Sequence, residues 1–98
     1  MLGFYLDKRA QYAEAEPLYQ RAIAIDEKAL GPEHPNLAIK LNNLALLYEA
    51  QEKYEEAKPL FQRALAIYEQ KFGTNHPSTR TIRENYDNLL KEMNKQER

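Results

Sequence analysis

The chain carries YAEAEPLYQRAIAI at residues 12–25 and YEEAKPLFQRALAI at residues 54–67, and these two stretches decide the fold. They lie 42 positions apart, and the same shift superimposes their surroundings. Tyr12 falls on Tyr54, Pro17-Leu18 on Pro59-Leu60, Gly31 on Gly73, and His34-Pro35 on His76-Pro77. Between residues 12–53 and 54–95, 17 of the 42 aligned positions are identical, most of them in the first half of the unit. Self-similarity at a period of about 20–50 residues marks a stacked-repeat architecture, in which each unit buries its apolar face only against its neighbours. Such a chain works as a surface rather than as a pocket that holds chemistry.

Composition sets limits on that surface. With 98 residues the chain is one domain at most, near the size at which a single core gives modest stability. Charged residues make up 30% and the formal net charge is −1, so no global field selects nucleic acid or an anionic membrane. Cysteine is absent, which removes disulfides, thiolate metal sites and thiol nucleophiles together. Met1 to Leu6 is apolar but too short for a signal peptide, and Asp7 follows at once. No run approaches the roughly 20 apolar residues of a membrane span. The expectation is a soluble cytoplasmic protein with neither nucleic acid nor membrane as a partner.

Each unit reads as two helices. From Ala13 to Leu30 the apolar residues Ala15, Leu18, Tyr19, Ala22, Ile23 and Ala29 recur mostly at steps of three and four, the stripe of an amphipathic helix. Glu55 to Phe72 repeats it with Ala57, Leu60, Phe61, Ala64, Leu65 and Tyr68. Gly31 and Gly73 end these stretches, where a left-handed residue costs least. Pro17 and Pro59 either occupy first-turn positions, the favoured placement, with helices that begin near residues 15 and 57, or kink the helices from within. His34-Pro35 and His76-Pro77 predict helix starts with proline at the first helical position. On the following helix Leu37, Leu41, Leu44, Ala45 and Tyr48 form one stripe, and Ile39, Asn42, Asn43, Leu46 and Ala50 the other side. The short turn Gln51-Glu52-Lys53 fits an antiparallel helical hairpin. The full reading is helices at about 1–9, 14–30, 36–51, 55–72 and 77–95 with almost no strand.

Leu41, Leu44, Ala45 and Tyr48, followed by Ala57, Phe61 and Ala64, give this chain a family likeness. It resembles tetratricopeptide repeats of the long, 42-residue kind found in kinesin light chains and many bacterial repeat proteins. The likeness covers nearly the whole chain and includes Leu-Asn-Asn-Leu-Ala-Leu-Leu-Tyr at 41–48 and Gly-Pro-Glu-His-Pro at 31–35. It implies an all-α fold: antiparallel helical hairpins stacked as a short α-solenoid with a C-terminal capping helix. The turn glycine usual in the family is Ala10 in one copy and Glu52 in the other, which implies strained or extended turns.

The repeat breaks at both ends. Met1 to Arg9 aligns with Asn43 to Gln51, so residues 1–30 read as a truncated repeat, with Leu2, Gly3 and Leu6 at packing positions. Residues 35–73 form the complete repeat, and 77–97 a degenerate capping helix. Its packing positions hold Arg83, Tyr86, Asp87 and Leu90, and the charge of Asp87 is expensive to bury, so no further unit stacks there. Ile82, Tyr86, Leu89, Leu90 and Met93 form the inner stripe, with Arg80, Glu84, Asn88 and Lys91 outside. The N-terminal end reads as cut. Leu18, Tyr19, Ile23 and Ile25 are then expected to leave apolar surface in water, which favours a homodimer through the N-terminal end.

The implied function is a non-enzymatic scaffold that binds a partner peptide or helix on its concave face. The face comprises Ile39, Asn42, Asn43, Leu46 and Glu49, with Thr81, Asn85 and Asn88 from the last helix. In the family, asparagines at the places of Asn43 and Asn85 bond the backbone of a bound peptide, since an amide both donates and accepts. Exposed apolar residues such as Ile39 and Leu46 mark contact. The rival reading is a purely structural section of a longer solenoid or a self-assembling oligomer. A carboxylate clamp is disfavoured, because its positions hold Phe4, Asn43, Thr81 and Asn85 and only Asn43 fits. His34 and His76 read as helix boundaries rather than metal ligands, which must converge in threes or fours. No cofactor or catalytic residue is expected: there is no glycine-rich phosphate loop, and Ser78 is the lone serine.

Overall fold

The computed structural model describes residues 8–96. It holds four helices, α1 (Lys8–Leu30), α2 (Pro35–Ala50), α3 (Tyr54–Phe72) and α4 (Pro77–Gln96), and no strand among the described residues. The hairpin of α2 and α3 is the centre, with α1 against α2 on one side and α4 against α3 on the other. Leu37, Ala38, Leu41 and Ala45 of α2 and Ala57, Phe61 and Ala64 of α3 are at most 1% exposed. Small residues on both helices let the backbones approach, and Phe61 fills the space between Ala57 and Ala64. Tyr48 is also buried, whereas Tyr19 of α1 packs only partly against the core. No buried side-chain nitrogen or oxygen among the described residues lacks a hydrogen-bond partner.

Helix boundaries follow local chemistry. Gly31 and Gly73 adopt φ of +97° and +88°, and their amides donate to Glu27 and Glu69 carbonyls at 3.1 and 3.0 Å. At the next start the His34 ring is the cap: its Nδ1 accepts from the Asn36 amide at 3.1 Å, with Pro35 at the first helical position. His76 repeats this one period later, accepting from the Ser78 amide at 3.1 Å. The repeated His-Pro pair is therefore a capping device that fixes the orientation of each incoming helix.

Three expectations are corrected. Pro17 and Pro59 lie inside α1 and α3 rather than in their first turns. Helix α3 already starts at Tyr54, where Ala57 donates to the Lys53 carbonyl at 3.1 Å, and Pro59 removes one bond from the second turn. Full burial of Ala57 anchors that turn and offsets the missing bond. The break expected near residues 10–13 does not form, because α1 runs unbroken from Lys8. Ala10 would need a left-handed backbone to make that turn, and the Lys, Ala and Gln residues around it favour helix. The expected helix at residues 1–9, with Leu2, Gly3 and Leu6, lies almost wholly outside the described residues. Ile23 and Leu90 exchange the environments assigned to them. Ile23 is 9% exposed and joins the core, while Leu90, at the edge of its stripe, is at the surface.

The helix α4 otherwise follows its pattern. Ile82 and Leu89 are buried, Tyr86 and Met93 half-buried, and Arg80, Glu84, Asp87, Asn88 and Lys91 exposed. Thr79, which no pattern singled out, is fully buried and donates its hydroxyl to the Tyr68 carbonyl at 3.5 Å.

Candidate protein-interaction faces

Helices α2 and α4 run side by side on one face, and the structure gathers several of the predicted residues between them. Ile39, Asn42 and Thr81 line a hollow of about 210 Å³ with Tyr68, Ser78 and Ile82. Ile39 is 47% and Leu46 39% exposed, although the opposite side of α2 is fully buried. Asn42 and Asn43 are half-buried beside them. Asn85 donates from Nδ2 to Oδ1 of Asn42 at 3.3 Å, a bridge between the two helices. The periodic pair is Asn43 and Asn85, but the pair that touches is Asn42 and Asn85. Thr81 is exposed, and its hydroxyl donates to the Pro77 carbonyl of its own helix at 3.1 Å. Asn43, Leu46, Glu49 and Asn88 do not line the hollow. Tyr68, Ser78 and Ile82 do, and of these only Tyr68 and Ile82 stood out in the sequence, as core residues. Phe4, one of the residues that speak against a carboxylate clamp, lies outside the described residues.

The face changes character along its length. Beyond Leu46, Glu49 is half-buried, and burial followed by the nearby Glu92 carboxylate pushes its carboxyl above the usual range. Burial and then Glu52, Glu92 and Glu49 push the Tyr54 hydroxyl upward as well. Four groups from α2, the turn, α3 and α4 thus meet at the C-terminal end of α2. Lys95 reaches Glu92 at 3.4 Å, an exposed contact of small energetic weight.

A second apolar surface lies on α1. Leu18 is 65% and Ile25 58% exposed. Lys40 pairs with Asp26 and ties α1 to α2, and Arg63 pairs with Glu27 at 2.5 Å and ties α1 to α3. Among the described residues no group of three or more His, Cys, Asp or Glu side chains converges on a metal position. No described helix is long and apolar enough to cross a membrane.

Antiparallel helices stacked in this way, with a groove between α2 and α4, define a short α-solenoid. Residues 1–70 and again residues 36–98 match the family model of the tetratricopeptide repeat, and the chain belongs to that family. The two matches share residues 36–70, the α2–α3 hairpin on which the repeats overlap. No match emerges among curated proteins. Repeats of this family are non-catalytic and generally mediate protein–protein interaction.

Proposed function

We propose that this chain is a cytoplasmic, non-enzymatic scaffold that holds an extended or helical segment of a partner protein along the face of α2 and α4. The observation that carries the reading is the exposure of Ile39 and Leu46 beside half-buried amides, on a helix whose other side is saturated with contacts. Apolar side chains left open in a groove gain by covering, and neighbouring amides satisfy the backbone of whatever covers them. Asn43 contacts the ligand backbone. Asn42 and Asn85, bonded to each other, form a polar floor that either amide can leave to meet a peptide. Leu46, Glu49, Thr81 and Asn88 extend the contact along the groove.

The 42-residue period and the Gly-Pro-Glu-His-Pro connection support the kinesin-light-chain-like subtype. The same period supports the division into a truncated repeat at 1–30, a complete one at 35–73 and a cap at 77–97. Exposed Leu18 and Ile25 support association of two chains through the N-terminal end; the alternative, a section within a longer solenoid, rests on the same two residues.

Affinity capture from host lysate tests the groove. Wild-type chain is compared with an Asn43→Ala, Leu46→Glu double variant, both checked by circular dichroism. The variant is expected to lose specific captured proteins while keeping its helicity; identical capture profiles would refute the assignment of this face.

A further inference from the structure

The exposed stripe on α1 has a regularity that points to its occupant. Ala15, Leu18, Ala22, Ile25 and Ala29 alternate steps of three and four, the spacing of an interhelical seam. Leu18 and Ile25 are the two most exposed large apolar side chains among the described residues, and Pro17 lies to one side of the seam. A hollow of about 330 Å³ opens beside them, lined by Ala15, Leu18, Tyr19 and Ala22 with Lys40 of α2. The four α1 residues stand at i, i+3, i+4 and i+7, the diamond that receives one side chain from a facing helix.

We propose that the facing helix is α1 of a second copy, antiparallel, with the two-fold axis between Arg21 and Ala22. This rests on the N-terminal association proposed above and gives it an orientation and a register. Ile25 of each copy enters the diamond of Ala15, Leu18, Tyr19 and Ala22 on the other. Leu18 enters the next diamond, formed by Ala22, Ile25, Asp26 and Ala29. Alanine floors both holes, so the backbones approach closely and each large side chain finds a small one. The flanking row Glu14, Arg21 and Lys28, all exposed, adds charge complementarity. In this register Glu14 of one copy faces Lys28 of the other, twice, on either side of the axis. A parallel pairing would set that row against Tyr19 and Asp26, and Asp26 is already held by Lys40. Arg21 falls beside its own copy at the axis and limits the affinity. The contact is isologous and closes at two chains. One helix face per chain lies at the low end of interface sizes, under about 1,200 Å² in total, so association belongs in the micromolar range.

Sedimentation of the purified chain from about 10 µM to about 1 mM tests the association, since that span brackets micromolar binding. Wild type is expected to dimerise with concentration, and Leu18→Glu with Ile25→Glu to remain monomeric at unchanged helicity. A wild type that stays monomeric, or a dimer that survives both glutamates, would overturn the association and the register together. The register has its own readout, because the chain contains no cysteine. Glu14→Cys chains mixed with Lys28→Cys chains are expected to form the mixed disulfide, and Glu14→Cys chains alone to form none. Arg21→Gln is expected to tighten the dimer several-fold. Glu14→Lys is expected to weaken it and Lys28→Glu in the same chain to restore it. Self-cross-linking of Glu14→Cys, or weakening by Arg21→Gln, would sink the antiparallel register and leave the association standing.

Discussion

Glu52 is the residue where the backbone is least comfortable, and replacing it gives a sharp test of the fold. The helix α2 ends with the Lys53 amide bonded to the Tyr48 carbonyl at 2.8 Å and the Glu52 amide to the Glu49 carbonyl at 2.9 Å. This is a Schellman motif, and its left-handed position falls on Glu52, at φ +63°, the described non-glycine residue with positive φ. A side chain there costs about 1–2 kcal/mol, while glycine gives back about 0.5–1 kcal/mol in extra unfolded-state entropy. Glu52→Gly is therefore expected to stabilise the chain by about 0.5–1 kcal/mol. For a domain of this size that raises the melting temperature by about 2–8 °C. Glu52→Ala separates the backbone effect from the loss of the carboxylate, because it removes the charge and keeps the backbone cost.

The control is Ala10→Gly, one period earlier. If the repeat alone dictated structure, both positions would be turns and both glycines would stabilise. In the structure Ala10 is helical, so glycine there is expected to cost up to about 1 kcal/mol. Urea and thermal unfolding followed by circular dichroism measure both variants against wild type. Stabilisation by Ala10→Gly, or destabilisation by Glu52→Gly, would refute the contrast between a continuous α1 and a strained α2–α3 turn.

Phe61 is fully buried and meets Tyr86 at 6.5 Å between ring centroids, so Phe61→Ala is expected to cost about 3–5 kcal/mol in urea unfolding, comparable to the whole stability of a small domain. His34→Ala removes the acceptor that caps α2 and is expected to cost about 1 kcal/mol, with most of it recovered in His34→Asn, measured by the same melts. Glu49 predicts a pH effect. Its folded carboxyl holds a proton more tightly than the unfolded chain does, so its contribution to stability falls as pH rises through and above the ordinary carboxylate value. Glu49→Gln is expected to gain on wild type between pH 4 and pH 7, and unfolding curves that keep a constant difference across that range would contradict it.

Much of this architecture was legible because the apolar period and the helix boundaries agree. Gly31, Gly73 and the His-Pro pairs locate α2 and α4 to within a residue at each start, since each is a local device with its own geometry. Two features were not legible for one shared reason: packing decides them. Pro59 reads as a first-turn residue until the burial of Ala57 is known to hold an earlier turn in place. Ala10 and Glu52 align perfectly, yet only Glu52 turns, because the buried α2–α3 interface offsets its backbone cost. The groove was legible as a face but not as a set of contacts. A 42-residue period pairs Asn43 with Asn85, whereas side-chain reach between adjacent helices pairs Asn85 with Asn42.

A polar thread through the repeats explains how α4 keeps its place while its sequence drifts. Gln20 donates to the Tyr48 hydroxyl at 2.9 Å, and Gln62, its periodic equivalent, donates to the Tyr86 hydroxyl at 2.8 Å. The residue one period after Tyr48 is Leu90, so the tyrosine has moved back by four positions, one helical turn, and stays on the same face. The shift hands Tyr86 both the glutamine bond and the contact with Phe61, and it releases Leu90 to the surface. Arg83, at the place of buried Leu41, turns instead to Glu69 at 3.1 Å and to the Thr74 carbonyl at 3.3 Å. The places of buried Leu41 and Ala45 thus carry the charges of Arg83 and Asp87 on α4, with Asp87 exposed, while Leu90 is left at the surface. The outer side of α4 is polar, while the α1 side presents Leu18 and Ile25 beside alanines. The two proposed associations therefore use different faces: a partner segment in the α2–α4 groove and a second copy on α1.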